Sequence, residues 1–307
     1  MTHVPFIPFE AGDRCLDWIG LTEALARGHE MPKAEIADTF LYRDPDTLLN
    51  RAAWIDGLGL AVKSPTVFPG NADKGVSTIN GGVSLYSDDT GILEAIIDFH
   101  LVTKWKTAGD SLLAARRLAR PDSRKILIVG AGTQARGLYA AYSAAFPMAE
   151  FTVWNRTKAN ADRLAAEIGR LTVAEDLQSV VENADIVISA TMSTEPVLKG
   201  EWFRPGQHID LIGAYRPDMR EVDDEALQRA SVFADSLDTT VGHIGEFKIP
   251  IETGAFDASR IVADYYAPKA FARRDASEIT LFKNGGGAHL DLMTSRYILD
   301  QWRERGC

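Results

Sequence analysis

A glycine-rich segment near the middle of the chain has the residue types that bind phosphate. An apolar run of strand length at residues 125–129 leads into Gly130, Gly132 and Ala135, which form the pattern G-x-G-x-x-A. The first glycine permits a tight turn, the second lets the backbone approach a pyrophosphate, and the alanine keeps the next helix close to the strand. The first N–H groups of that helix, around Thr133 and Gln134, then point at the phosphates. A helix at 137–145 and a second strand follow, so the segment predicts a dinucleotide site.

The residues after the second strand predict which dinucleotide binds. Asn155, Arg156, Thr157 and Lys158 stand where a protein that prefers NAD usually has an acid for the ribose 2′-hydroxyl. A guanidinium and a hydroxyl instead suit a 2′-phosphate. Thr157 is alternatively a cap for the helix that begins near Lys158, with the basic residues in solvent, and the two roles are compatible. The sequence favours NADP(H), with NADH as a possible substitute.

Cationic residues in the first third of the chain stand among small and apolar neighbours. They are Arg51, Lys63 and Lys106. Lys63 lies between Ala61 and Pro65 on a predicted strand, and a buried ammonium needs an anionic partner. Either the strand lies at the surface and the lysine reaches water, or a pocket here binds a substrate carboxylate.

Composition limits the class of protein. The chain has 307 residues, of which 46% are hydrophobic and 25% charged, and a formal net charge of -10. Such a balance argues against nucleic acid or an anionic membrane as a partner. Two cysteines make a disulfide framework improbable, so a reducing cytoplasm is expected. Paired-cysteine, His-x-x-x-His and G-x-S-x-G spacings are missing, so we predict no metal site.

The helices and strands predicted in the first third of the chain are typical of an α+β unit. We expect a helix near 18–27, short antiparallel strands, a hairpin over 83–98 and a long helix over 101–119. The final helix, 289–304, has an apolar stripe that predicts packing against this unit. We therefore predict a substrate-binding and dimerisation domain of residues 1–120 plus 286–307.

The remainder, 121–285, alternates strand and helix, which is typical of a doubly wound Rossmann-type nucleotide domain. Strands are predicted at 125–129, 150–154, 186–189, 208–212, 232–234 and 279–282. Ala190, Thr191, Met192 and Gly213 come directly after two of them, at the carboxyl edge where such sheets bind ligands. The predicted fold class is α/β with a second α+β domain.

Several segments together resemble the ornithine cyclodeaminase/mu-crystallin family, over nearly the whole length of the chain. They are LGLAVKSPTVFPGN (58–71), DDTGILEAIIDFHLVTKWKTAGDSLLAARRLARPD (88–122), VGAGTQA (129–135), VWNRTKANADRLA (153–165), ATMSTEP (190–196), GEWFRPGQHIDLIGAYRPDMREVDD (200–224) and TLFKNGGGAHLD (280–291). The run VWNRTKAN is similar to the NADPH-binding mu-crystallin branch.

The resemblance implies a homodimer formed through the first domain, with substrate between that domain and the nucleotide domain. It also implies chemistry at a carbon–nitrogen bond next to a carboxylate. Lys63 matches the family's active-site lysine, which contacts that carboxylate and relays a proton. Lys106 replaces an arginine that holds the carboxylate in most members, so the charge stays but the bidentate fork is lost. Arg43 is a loose match to a second carboxylate-binding arginine, and Arg51 is an equally good candidate.

A second departure concerns Tyr215. Ornithine cyclodeaminases resembling this chain have an aspartate at that position, which assists deamination and ring closure. Without that acid, we predict a reductase of ketimine or cyclic imine acids, such as 1-pyrroline-2-carboxylate, with Lys63, Lys106 and Tyr215 as catalytic candidates. Tyr215 is a proton donor or a packing residue on this view. The alternatives are an ornithine cyclodeaminase, an amino-acid dehydrogenase of the alanine dehydrogenase type, and an NADPH-loaded binding protein without turnover.

Overall fold

The computed structural model describes residues 4–306, which form two compact units. The first unit consists of the chain up to Lys106 and from Ala288 onward, and the second spans Thr107–Gly287. The first division therefore falls inside a long helix, whereas the sequence placed it at residue 120, where that helix ends. The second division lies two residues beyond the predicted boundary at 285.

The first unit is built on a six-stranded sheet. Its strands are β1 (Phe6–Ile7), β2 (Glu35–Arg43), β3 (Asp46–Ile55), β4 (Gly59–Val67), β5 (Ile79–Tyr86) and β6 (Leu93–Asp98), in the spatial order β1-β6-β5-β4-β3-β2. β2 to β6 pair antiparallel, and β1 adds in parallel to β6. The predicted hairpin over 83–98 is confirmed as β5 and β6.

Helices complete this unit, and the final one packs on β3, β4 and β5. They are α1 (Phe9–Arg14), α2 (Trp18–Gly28), the first part of α3 (Phe99–Leu118) and the final helix, introduced below as α10. Asp17 begins α2, since its side chain accepts a 2.6 Å hydrogen bond from the Gly20 N–H. Strand β4 alternates buried and half-buried residues, so the members in phase with Ala61 face the helices.

The second unit is a fully parallel, doubly wound sheet. Its strands are β7 (Lys125–Val129), β8 (Glu150–Trp154), β9 (Leu171–Val173), β10 (Ile186–Ser189), β11 (His208–Leu211), β12 (Ser231–Ala234), β13 (Ile261–Ala263) and β14 (Thr280–Lys283), in the order β13-β12-β14-β11-β10-β7-β8-β9. The helices are α4 (Thr133–Ala145), α5 (Lys158–Ile168), α6 (Leu177–Asn183), α7 (Asp224–Arg229), α8 (Leu237–Thr240) and α9 (Gly245–Glu252), and the chain ends in α10 (Ala288–Arg305) of the first unit.

The sheet of the second unit changes direction at β7. β8 lies on one side of β7 and β10 on the other, so the loops after β7 and β10 leave a crevice at the carboxyl edge. The central strands β7 and β10 are buried almost throughout, which explains their continuous apolar runs. The predicted α/β fold class with a separate α+β unit is confirmed.

The sequence missed β9 and β13, because three residues are too few to show a period. Helix α4 begins at Thr133, not at 137, since Gly132 is its N-cap residue. Residues 237–252 contain α8 and α9, two short helices that the sequence did not predict.

Cys15 is buried, and Cys307 lies outside the described residues. Among the described helices, none is both long and apolar enough to cross a membrane. The cytoplasmic location stays a prediction.

Candidate active site

Lys63 lies on the buried face of the first unit. It is in phase with Gly59 and Ala61 on β4, and that face packs under α10. Directly across on β3 stands Arg51, because the antiparallel register pairs Arg51 with Lys63. The side chain of Lys63 is 7% exposed. The structure thus rejects the alternative in which this lysine reaches bulk water.

An aspartate of the final helix neutralises Lys63. The Nζ atom of Lys63 donates a 2.9 Å hydrogen bond to Oδ1 of Asp291, whose side chain is 2% exposed. Asp291 lies in the first turn of α10, where the helix dipole favours a negative charge. The other oxygen, Oδ2, is buried and has no hydrogen-bond partner among the described residues. The Phe99 ring, 4.8 Å from Nζ, closes another side of the ammonium.

Burial and neighbouring cations lower the proton affinity of Lys63. Burial lowers its pKa from 10.5 to about 8, the charge of Asp291 opposes this change, and Lys106 and Arg51 add to the lowering. Burial by itself raises the pKa of Asp291, but Lys63, Lys106 and Arg51 hold that pKa below its ordinary value. The pair is therefore ionised at neutral pH, with a lysine close enough to its pKa to give up a proton.

Lys106 and His289 complete the surroundings of the pair. Lys106, on α3, is 8% exposed, and its charge acts on both Lys63 and Asp291. His289 precedes Asp291 on α10, and burial lowers its pKa to about 3, so the ring is neutral. Its edge contacts the ring of His29 with centroids 5.3 Å apart. The cluster therefore joins Arg51, Lys63 and Lys106, three residues that the sequence singled out.

Two other candidates, Arg43 and Tyr215, are exposed. Arg43 ends β2 beside the turn to β3, where it pairs with Asp46 and its side chain is 79% exposed. Arg51 faces Asp38 in the strand register, so Arg43 lies five positions along β2 from that pair, and the structure favours Arg51 over Arg43. Tyr215 belongs to the second unit and is 56% exposed, with the Arg216 guanidinium 5.8 Å from its ring. Such exposure argues against the packing role and leaves the donor role a prediction.

A cleft of about 480 Å³ opens at the carboxyl edge of the second unit's sheet. Its walls come from the loops after β7, β8 and β10. The lining residues are Gly130, Ala131, Gly132, Trp154, Asn155, Arg156, Thr157, Asn160, Ala190, Thr191, Met192, Ser193, Thr194 and Val197. The volume is in the range of cofactor sites.

The glycines of the cleft have the geometry of a phosphate cradle. Gly130 has φ 109°, and a Cβ there would lie 2.7 Å from the carbonyl oxygen of Ala190, so a side chain is excluded. A Cβ on Gly132 would meet nothing within 4 Å, which leaves its backbone open to the cleft. Gly132 also begins α4, whose N-terminus faces this space. The residues present therefore fit a dinucleotide.

Asn155 ties two loops of the cleft together. Its Oδ1 atom accepts a hydrogen bond of 3.1 Å from the Ala131 N–H, and its Nδ2 donates one of 2.9 Å to the Thr157 carbonyl. An aspartate could make the first bond but not the second. Asn155 is thus a structural support, and the neighbouring Arg156 and Thr157 line the cleft.

Thr157 occupies the N-cap position of α5, but its hydroxyl makes no capping hydrogen bond within the described chain. Arg156 is exposed, and no acidic group in residues 4–306 pairs with it. Both side chains are therefore available to a ligand in the cleft.

Four predicted cofactor residues do not line the cleft. Thr133 lines an adjoining hollow with Arg136 and Arg163, and Gln134 follows it on α4. Ala135 is fully buried, as its helix-packing role requires. Gly213 donates its N–H to Glu221 and supports the wall from behind. Sequence reasoning missed Ser193, Thr194 and Asn160, which continue predicted segments. It also missed Asp291. Among residues 4–306, no group of three or more His, Cys, Asp or Glu side chains could hold a metal ion.

The model of the ornithine cyclodeaminase/mu-crystallin family matches residues 55–306. The chain belongs to this family. The match covers both the strand that bears Lys63 and the helix that bears Asp291, together with the whole dinucleotide cleft.

Relatives within the family include reductases of imine acids. A Delta(1)-pyrroline-2-carboxylate reductase of Paracoccus denitrificans is 49% identical over 291 residues, 92% of each chain. The ketimine reductase mu-crystallin of Rattus norvegicus is 33% identical over 244 residues, 79% of this chain and 76% of the relative. The solved Delta(1)-pyrroline-2-carboxylate reductase of Thermococcus litoralis, in complex with NADH and L-proline, has a TM-score of 0.88 at 27% identity and covers 98% of each chain.

Proposed function

We propose that this member of the family is an oxidoreductase that reduces the C=N bond of a cyclic imine acid of the 1-pyrroline-2-carboxylate type to the L-amino acid. The observation that carries the proposal is the pair of buried lysines, Lys63 and Lys106, at Asp291, with half-buried Arg51, which pairs with Asp38, beside them. Such a cluster suits an anionic substrate group. The identity of 49% to a pyrroline-2-carboxylate reductase supports the same substrate class.

Protein groups supply binding and a proton in this reaction. The nicotinamide cofactor, when bound, provides the hydride that goes to the imine carbon. Lys63 and Lys106 hold the carboxylate, which fixes the orientation of the adjacent C=N bond. Lys63, with a pKa of about 8, is still protonated at neutral pH and can pass a proton to the nitrogen as the hydride arrives. Asp291 keeps that lysine charged in a buried place.

NADPH is the proposed cofactor, with NADH as a possible substitute. Arg156 and Thr157 line the cleft at the end of β8, where a 2′-phosphate would be recognised. The side chain of Asn155 is used by the protein backbone and provides no carboxylate for a 2′-hydroxyl. A bound nicotinamide cofactor of either kind is consistent with the cleft.

A homodimer formed through the first unit is also part of the proposal. Edge strand β2 is exposed along all nine residues, and Phe40, Leu41 and Tyr42 are 47%, 60% and 75% exposed. An apolar edge strand of this length normally pairs or is covered. Sedimentation equilibrium tests this point, since a mass of one chain would contradict it.

The reaction is tested by oxidation of NADPH with a panel of imine acids and with the same rings lacking the carboxylate. We expect turnover of 1-pyrroline-2-carboxylate and loss of at least about a hundredfold in kcat/KM for 1-pyrroline. Replacing Lys63 with Met should remove turnover and leave NADPH binding unchanged. Absence of turnover with every imine acid, in protein that binds NADPH, would favour a binding protein instead.

A further inference from the structure

A single buried carboxylate in the second unit gathers the ends of two neighbouring strands. Oε1 of Glu221 accepts hydrogen bonds from the Ser189 hydroxyl at 2.6 Å and from the N–H and hydroxyl of Thr191 at 2.8 and 2.9 Å. Oε2 accepts from the N–H groups of Gly213 at 2.6 Å and Ala214 at 3.1 Å. Glu221 is 0% exposed. Five donors on one carboxylate make this segment rigid.

Two further contacts show how closely the segment is fitted. A Cβ on Gly213 would lie 1.8 Å from the carbonyl oxygen of Thr191, so the two loops touch through their backbones. Glu246, at the start of α9, accepts hydrogen bonds from the N–H groups of Glu221 at 2.9 Å and Val222 at 3.1 Å. The backbone of Glu221 is therefore fixed from behind, while its carboxylate fixes the loops in front.

These loops form a particular wall of the cleft. The glycines follow β7 and Arg156 follows β8, whereas Thr191 and Gly213 follow β10 and β11 on the other side of β7. A dinucleotide has its adenosine ribose at the end of the second strand and its pyrophosphate at the first βα turn. Its nicotinamide half then extends over β10. Thr191 and Met192 line the cleft there.

We propose that Glu221 is a positioning residue that holds the wall of the cleft against which the nicotinamide half of the cofactor binds. The inference rests on the proposed use of a nicotinamide cofactor. Glutamine is a poor substitute for Glu221, because its amide nitrogen would replace one of the two carboxylate oxygens. That nitrogen is a hydrogen-bond donor and would face two or three other donors. The adenosine side of the cleft, formed after β7 and β8, has no hydrogen bond to this carboxylate among those described.

The test compares a whole cofactor with its adenosine half. Dissociation constants for NADPH and 2′,5′-ADP are measured by calorimetry for the wild type, Glu221→Gln and the surface control Glu225→Gln. If the wild type prefers NADH, the pair is NADH and ADP. We expect Glu221→Gln to weaken the dinucleotide by about tenfold or more and the adenosine half by less than about threefold. The control should match the wild type.

The other outcomes overturn the inference about Glu221 alone, or that inference together with the proposed function. An equal loss for both ligands would mean a general structural role, and no loss for either would mean no role, so each overturns the inference. Should Glu221→Gln fail to fold, Ser189→Ala removes one donor to Oε1 without touching the cleft, and an unchanged dinucleotide affinity would then overturn it. A folded wild type that binds neither dinucleotide overturns the proposed function and the inference together.

Discussion

Replacing Asp291 with Asn should move the pH at which Lys63 loses its proton. The two charges are 2.9 Å apart, which corresponds to about 6 kcal/mol at an effective dielectric constant of ~20. Relaxation and entering water reduce this value, so we count about 3 kcal/mol, or ~2 pKa units at 1.36 kcal/mol each. The pKa of Lys63, about 8 in the wild type, would then fall to roughly 6.

The sign of the effect on activity follows from the role of Lys63. A protonated lysine is needed, so kcat/KM of the wild type should be high below pH 8 and fall as the pH rises through about 8. In Asp291→Asn the same fall should occur near pH 6, and at pH 7.5 most of the activity should be lost. Substrate ionisation is the same for both proteins, so their difference reports the enzyme.

The assay is kcat/KM for an imine acid between pH 5 and pH 9 under saturating NADPH. Asp300→Asn serves as a control, because it makes the same change on α10 at an exposed position. Breaking a buried pair costs about 3–5 kcal/mol of stability, so circular dichroism must confirm that each variant is folded at every pH. Superimposable profiles for Asp291→Asn and the wild type would refute the electrostatic account of Lys63.

Three further predictions concern the cofactor, stability against pH, and the buried pair. Arg156→Asp should weaken NADPH by about tenfold or more and NADH by less than about threefold, measured by fluorescence titration; equal losses would remove the 2′-phosphate argument. Burial raises the pKa of Asp210 from 3.8 to about 7, so the folded state binds its proton more tightly and the free energy of unfolding should fall as pH rises from about 4 to 7. Asp210→Asn should make that slope shallower in urea titrations without removing it, because burial also raises the pKa of Glu246 to about 7, and an unchanged slope would contradict the assignment. The double variant Lys63→Met/Asp291→Leu should be as stable as the wild type or more so, yet inactive; a large loss of stability would show that the pair serves the fold.

Local patterns were sufficient for most of the fold. The strand before Gly130, the glycine turn and the helix after it are contiguous in sequence, and each step has its own signal. The alternation in β4 likewise determines which face carries Lys63. The choice between Arg43 and Arg51 needed the strand register, because one-residue differences in pairing decide which side chains are neighbours.

The acids of the site could not be predicted from local patterns. Asp291 is 228 residues from Lys63, and its helix was correctly predicted to pack against the first unit on the strength of its apolar stripe. That stripe gave no sign that a charged residue on the same helix would be buried with the lysine. Glu221 belongs to the run RPDMREVDD, in which four acids are equivalent by sequence. Its selection depends on where the ends of β10 and β11 lie.

The buried pair of Lys63 and Asp291 costs the folded state free energy, and this cost points to a functional role. A buried ion pair seldom stabilises a protein more than well-packed apolar residues of the same volume. Ala61 and Leu290, next to the pair along β4 and α10, are buried and apolar, so the sheet–helix core can pack there without charge. The pair leaves Oδ2 of Asp291 without a hydrogen bond among the described residues, which adds to the cost. The core does not need this ion pair for packing, and Lys106 and Arg51 lie beside it. An anionic ligand that binds at these cations best explains why the pair is present.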